Sequence, residues 1–402
     1  MLSQKNITII KSTVPVLETT GTAITKRFYD MLFEAHPELL NIFNQANQKK
    51  GRQQTALANT VYAAALHIEH LEKILPAVEK IAHKHRSLGV KPEHYPIVGE
   101  YLLKAIKEVL KEDATEEILS AWEEAYGVIA NVFISVEKEM YNAAETKAGG
   151  WKGFKELIIA KKVKESSLIT SFYLETKDQS SLPAYNPGQY VTVQVQIPGE
   201  RYTMNRQYSL SQTYNPEQYR ISVKKEHDSE PSGIVSNFLH DNVKEGDSIL
   251  VSVPAGDFYL DVQEKTPVIL ISGGVGVTPM LSMLDSIAKH NPTRPVTFIH
   301  AARSQSVHAF NEEVKELVSS LPNGKNYVVY KEKHEACDFT GYVTYDLLKK
   351  TLDTSSVVYL CGPPPFMKAV LHSLNQLGVP SDRIHYEFFG PDLLMEAADK
   401  GM

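Results

Sequence analysis

The chain has 402 residues, 43% of them hydrophobic and 22% charged, and its 42 Lys and Arg against 48 Asp and Glu leave a formal net charge of −6. That length is more than one hydrophobic core usually serves, so two or three domains are expected. The acidic balance offers no basic field for nucleic acid, no apolar run reaches the ~18 residues of a membrane span, and the N-terminus has no apolar stretch of the secretion-signal kind.

Helical periodicity runs through the first part of the chain. Leu57, Val61, Ala64, Ile68 and Leu71 recur at three- and four-residue steps, as do Ile118, Ala125, Ile129, Val132, Val136 and Met140, so each set shares one helix face. Pro37, Pro76, Gly89 with Pro92, and Pro96 divide the region into six to eight helices. A plain structural bundle satisfies these patterns equally well. His67 and His70, three apart without a third ligand, read as a solvated face. His83 and His85, two apart, cannot share a helix face, so at most one points into a pocket. His85 has Ile81, Leu88 and Val90 around it, with Lys84 and Arg86 at its flanks. Tyr95 and Glu137 are candidates to hold its second ring nitrogen, which a metal-ligating histidine normally donates to a carboxylate or carbonyl. Phe28–Tyr29, Phe43, and Gln53 with Leu57 at i,i+4 spacing are candidates for the opposite wall.

The glycine-rich segment Glu145–Gly153 reads as a linker. After it come short β-branched runs, LITSFYLET, QYVTVQVQI, YRISVKKE and DSILVSV, separated by turn residues, which predict a small antiparallel barrel over residues 152–262. Within it Arg206-Gln207-Tyr208-Ser209 is expected at the start of a strand. There a cation for phosphate, an aromatic plane for stacking and a hydroxyl for a ring nitrogen suit a flavin dinucleotide. Tyr190 is a second aromatic candidate, and Gly233 to Asn237, with Val235 and Ser236, is expected to open a short helix towards the pyrophosphate.

From residue 263 to 402 strands alternate with helices, which predicts a doubly wound parallel sheet. The strand TPVILIS runs into Gly273-Gly274-Val275-Gly276-Val277-Thr278-Pro279 and then a helix. That turn lets backbone approach a phosphate at a helix N-terminus, although the third glycine of the common dinucleotide fingerprint is absent. Cys361-Gly362-Pro363-Pro364-Pro365-Phe366-Met367 also follows an apolar strand, and the two turns are expected to wall one crevice. Cys337 and Cys361 are the only cysteines, too few for a disulfide framework, and read as free thiols of a cytoplasmic protein. Arg303 after FIHAA is weak evidence for a 2′-phosphate and leaves NADH against NADPH open.

These motifs, with the ending Glu387-Phe388-Phe389-Gly390-Pro391, resemble the ferredoxin-reductase-like flavoproteins over residues 152–391. The resemblance implies hydride transfer from NAD(P)H to FAD. It implies contacts from Tyr190, Arg206, Gln207, Tyr208, Ser209, Gly233, Val235, Ser236 and Phe388, Phe389, Gly390 and Pro391 to the flavin, and from Gly274, Val275, Gly276, Val277, Thr278, Pro279, Cys361 and Gly362 to the nicotinamide cofactor. Glu387 matches a carboxylate that tunes the flavin potential.

Residues 1–147 are similar to the globin domain of flavohaemoglobins. The carriers are Phe28-Tyr29-Asp30, His36-Pro37-Glu38-Leu39, Gln53-x-x-x-Leu57, Ala82-His83-Lys84-His85, Lys91 to Glu100 and Ala125-Tyr126-Gly127. The implied architecture is an all-α globin, an antiparallel β-barrel FAD domain and an α/β doubly wound NAD(P)-binding domain. The implied cofactors are haem b, FAD and NAD(P)H. By this resemblance His85 ligates the iron, Tyr95 and Glu137 relay to it, Tyr29 and Gln53 lie on the distal side, Leu57 restricts the pocket, Phe43 packs on the haem edge, and Lys84 tunes its potential. The implied activity is a nitric oxide dioxygenase that turns NO and O2 into nitrate, acting as a monomer in nitrosative-stress detoxification. A haem-based oxygen sensor or carrier, a plain flavin reductase, and a lipid hydroperoxide reductase with the same pocket are the alternatives.

Overall fold

The computed structural model describes residues 2–43, 48, 51–226 and 233–389, so the expected contacts at Gly390 and Pro391 lie outside the described residues. The N-terminal part is helical: α1 Gln4–Ser12, α2 Val14–Ala35, α3 Arg52–Leu66, α4 Leu75–Leu88, α5 His94–Leu110 and α6 Glu116–Thr146. Pro76 sits in the first turn of α4 and Pro96 in that of α5, where a missing N–H costs nothing, so both prolines start helices. Gly89 ends α4 at φ +79°, and its N–H caps the carbonyls of His85 and Arg86. The Thr115 side chain accepts from the Ile118 N–H and starts α6. The core between these helices includes Phe28, Tyr29, Leu32, Leu102, Ile106 and Trp122.

Six antiparallel strands follow: β1 Phe154–Lys164, β2 Ile169–Glu175, β3 Tyr190–Val195, β4 Met204–Ser209, β5 Gln218–Lys224 and, after α7 Ile234–Asp241, β6 Ser248–Ser252. Their order is β4-β3-β6-β1-β2-β5, and a single bridge between Leu210 and Ile221 joins the outer strands into a barrel. The RQYS segment lies at the end of β4 and not at its start. Met204 and Asn205 already pair with Val195 and Gln194, so the strand begins two residues earlier than the sequence pattern indicates.

The last part is a parallel sheet of β7 Val268–Gly273, β8 Val296–Ala302, β9 Gly324–Tyr330, β10 Phe339–Thr340, β11 Val357–Cys361 and β12 Ile384–Glu387. Its helices are α8 Val277–His290, α9 Asn311–Ser319, α10 Tyr345–Thr351 and α11 Pro364–Gln376. The order β10-β9-β8-β7-β11-β12 reverses direction between β7 and β11, which is where a doubly wound sheet opens its ligand crevice. β7 is buried along its whole length, as its unbroken apolar run requires.

The parts meet through buried polar contacts. Arg220 on β5, 5% exposed, forms a two-pronged pair with Glu313 on α9 at 2.8 and 3.0 Å, its guanidinium over the Phe310 ring. Among the described residues no helix is long and apolar enough to cross a membrane.

Candidate functional site

α4 delivers His85 from its last turn. The His85 Nδ1–H donates to Glu137 Oε1 at 2.7 Å, and the Tyr95 hydroxyl donates to the same oxygen at 2.5 Å. Glu137 is 2% exposed, so this carboxylate spends both contacts inside the fold. Burial, reinforced by the Glu137 charge, pushes the Tyr95 hydroxyl well above its ordinary pKa and keeps it a donor. The Tyr126 hydroxyl in turn donates to the Tyr95 carbonyl at 2.6 Å. A Cβ at position 99 would lie 2.5 Å from the Tyr126 ring, so only glycine there admits it. With Nδ1 held as a donor, Nε2 is the nitrogen left for a metal, and the donor set fits a haem iron. His83 makes none of these contacts; burial lowers its pKa, partly offset by the charge of Asp257.

On α2 the Tyr29 ring is packed among Phe28, Phe33 and Phe43 at centroid distances of 4.8, 5.6 and 5.8 Å. Burial raises its pKa, so the hydroxyl stays protonated. Gln53, at the start of α3, keeps Oε1 buried with no partner among the described residues. A buried unpaired acceptor is costly and marks a place built for a ligand or water. Leu57, one turn on, packs into the helical core, and Lys84 lies directly before His85 on α4.

In the barrel a cavity of about 210 Å³ gathers Arg206, Gln207, Tyr208 and Ser209 with Gly233, Ser236, Val275, Thr278 and Phe389. It therefore joins RQYS, the α7 entrance, the glycine turn and the C-terminal segment, which the sequence holds far apart. Ser222 and Lys224 of β5, with Glu226 just after the strand, also line the wall, and Lys224 Nζ is paired with Glu226 Oε1 at 2.7 Å; their strand pattern alone had not marked them. A Cβ at 233 would stand 2.6 Å from Ser236 Oγ, so glycine keeps the α7 N-terminus open. Arg206, half-buried, is held by the Asn205 carbonyl at 2.8 Å, and this cation suits a phosphate-bearing flavin, the nearby Lys224 being paired with Glu226. Tyr190, paired across β3 and β4 with Ser209, lies outside that lining; a Cβ at Gly256 would come within 3.0 Å of its ring.

β7 leads into a single 3-10 turn, Gly274–Gly276, with Gly274 at φ +55°, and then into α8, whose first turn holds Pro279. A Cβ at Gly276 would lie 2.2 Å from the Cys361 carbonyl oxygen. The glycine turn and the Cys361–Gly362 turn are thus in backbone contact, two walls of one crevice. Val235, Val277 and Phe388 are buried in cores, which leaves chiefly backbone for ligand contact at these positions. Burial raises the Cys361 thiol pKa, so it is a neutral thiol there. Glu387 on β12 pairs with Cys361 on β11, at the same edge. Arg303 is exposed in the turn after β8. Among the described residues no group of three or more His, Cys, Asp or Glu side chains could hold a free metal ion.

Family models match three segments: Globin over residues 26–133, the oxidoreductase FAD-binding domain over 156–259 and the oxidoreductase NAD-binding domain over 270–372. A flavohemoprotein of Bacillus thuringiensis is 55% identical over 399 residues, covering 97% of this chain and 99% of that protein. One from Bacillus subtilis is 52% identical, with 98% of each chain covered. The crystal structure of a flavohemoglobin from Malassezia yamatoensis, solved with bound FAD and heme, superposes with a TM-score of 0.86 at 28% identity over 97% of this chain and 100% of that one. The FAD/NAD-binding domain of a nitric oxide dioxygenase from Vibrio cholerae is 40% identical and covers 59% of this chain and 99% of its own, with a TM-score of 0.56. With a globin, an FAD-binding barrel and an NAD-binding sheet in one chain, and full-length relatives at more than half identity, the chain belongs to the flavohemoprotein family.

Proposed function

We propose that this chain is a nitric oxide dioxygenase that uses NAD(P)H to keep its haem reduced. The balance is 2 NO + 2 O2 + NADH giving 2 nitrate, NAD+ and H+. When bound, the nicotinamide supplies a hydride, the flavin splits it into single electrons, and the haem iron binds the dioxygen that nitric oxide consumes. The observation that carries this reading is the His85–Glu137–Tyr95 relay. A carboxylate on Nδ1 makes the imidazole a stronger donor to iron, which favours activation of a bound ligand over its reversible storage.

The other residues take the roles that their places allow. His85 Nε2 would hold the iron, the buried, protonated Tyr29 hydroxyl would donate to an oxygen-bearing ligand, and Gln53 with its unpaired Oε1 would stand on the same distal side. Phe43 beside Tyr29 walls the pocket, Leu57 limits its width, and Lys84 and Glu387 adjust potentials at the haem and flavin ends. Arg206 binds flavin phosphate, Tyr208 faces its ring system, Ser209 bonds its edge with Tyr190 opposite it on β3, and the Gly274–Pro279 turn receives the nicotinamide cofactor. We place the enzyme in the cytoplasm as a monomer, in defence against nitrosative stress. Nitrate formation from NO and O2 with NADH, measured on purified holoprotein against a haem-free control, tests the reading; no nitrate above the control overturns it.

A further inference from the structure

The turn that carries His85 also carries the contact between the globin and the barrel. Arg86, 8% exposed, donates from its two terminal nitrogens to the carbonyls of Val253 and Pro254, the latter at 2.5 Å. Those carbonyls lie in the segment leading to Ala255, which bridges to Tyr190 at the start of β3. Ser87 is fully buried. Its hydroxyl donates to the Lys84 carbonyl at 2.9 Å and accepts from Thr192 Oγ1 at 2.9 Å and Gln207 Nε2 at 3.2 Å. These contacts match the one donor and two acceptor sites of a serine hydroxyl, and the Tyr190 hydroxyl also interacts with it. Thr192 and Gln207 are cross-strand partners, next to Tyr190 and within RQYS.

Directly after His85 come a buried arginine whose hydrogen-bond acceptors are in the barrel and a buried serine that ties the Lys84 carbonyl of its own helix to two barrel side chains. We propose that Arg86 and Ser87 are positioning residues that lock the flavin-contacting strands to the helix bearing His85, and so set the separation across which the haem is reduced. This inference rests on the dioxygenase reading above. Two electrons leave the reduced flavin singly, and each converts one ferric haem to ferrous; the lock holds the two ends in register for that transfer. Loosening it leaves flavin reduction by NADH alone and slows haem reduction.

The test compares full-length holoprotein with Ser87→Ala, which adds no volume, and with Thr192→Val, which removes the partner from the barrel side. FAD and haem content are measured first, then the rate constants of flavin reduction and of haem reduction in anaerobic stopped flow. Backbone hydrogen exchange over residues 84–90, 190–193 and 206–208 gives a readout independent of turnover. The expected result is unchanged flavin reduction, haem reduction about tenfold slower, a size consistent with small misplacements of reacting groups, and faster exchange in all three segments. Haem reduction within twofold of the parent in both variants, or unchanged exchange, overturns the proposal. If the parent itself shows no haem reduction by NADH, it is the dioxygenase reading that fails.

Discussion

Replacing Glu137 tests the relay at its buried centre. Glu137→Leu removes two hydrogen bonds to a charged acceptor, at 2.7 and 2.5 Å, and leaves the Tyr95 hydroxyl facing an apolar side chain and the His85 Nδ1–H without its carboxylate. Each buried donor left unpaired costs about 1–3 kcal/mol, which gives about 2–6 for the pair. Two effects pull the figure down. The lost carboxylate no longer has to be desolvated, and the His85 Nδ1–H keeps the Tyr95 oxygen 3.2 Å away as a weaker acceptor. The net expectation is about 2–3 kcal/mol. Glu137→Gln retains an acceptor oxygen of the same reach but not its charge, and costs about 1 kcal/mol. Urea unfolding of the full chain, followed by helical circular dichroism with the slope held common, reads the difference. In the holoprotein the iron–histidine stretching frequency falls in both variants. If both unfold within 0.5 kcal/mol of the parent (on the order of a surface change) with the frequency unmoved, the relay argument is refuted.

Further outcomes follow from other residues. Tyr29→Phe keeps the aromatic packing and removes one hydroxyl, so haem content stays the same while nitrate formation falls on the order of a hundredfold; a fall of less than threefold contradicts the distal role. Gly276→Ala places a Cβ 2.2 Å from the Cys361 carbonyl, which forces the two turns apart at about 1–3 kcal/mol and weakens NADH-dependent flavin reduction; Gly341→Ala, with nothing within 4 Å of the new Cβ though strained at φ +104°, leaves that reaction intact. His308 is stacked on His300 at 4.5 Å and bonded to the Tyr330 hydroxyl at 2.8 Å; burial lowers its pKa from 6.5 to about 4. The unfolded chain therefore takes up this proton first as pH falls, so the stability that neutral His308 contributes is full above pH 6.5 and is lost down to about 4. Between pH 7 and pH 5 the NAD-binding sheet loses about 2 kcal/mol through this one group. His308→Gln flattens that slope in thermal unfolding across the same range, and an unchanged slope removes His308 as its source.

Much of the architecture was legible in sequence because local periodicity and turn chemistry carry it. Helical spacing to residue 142, short β-branched runs after the glycine linker, and the strand-to-glycine turn at Gly273 each declare their element without knowledge of the rest. The two-residue spacing of His83 and His85 likewise allowed one inward-facing histidine, because a helix cannot aim both the same way. What the strand pattern misplaced was the start of β4, since Met204 and Asn205 pair only when β3 is beside them.

The tertiary structure decided the rest. Arg86 reads in sequence only as a flank of His85, yet it is buried against carbonyls 167 and 168 residues away. Ser87 gave no signal at all, because a small polar residue at a helix end is ordinary until Thr192 and Gln207 arrive from the barrel. Glu137 lies 52 residues from His85, and Glu313 lies 93 from Arg220. Sequence patterning reports which face of an element avoids water. It does not report which distant polar group will neutralise a buried charge, because that pairing exists only once the elements are packed and the desolvated group must find its partner.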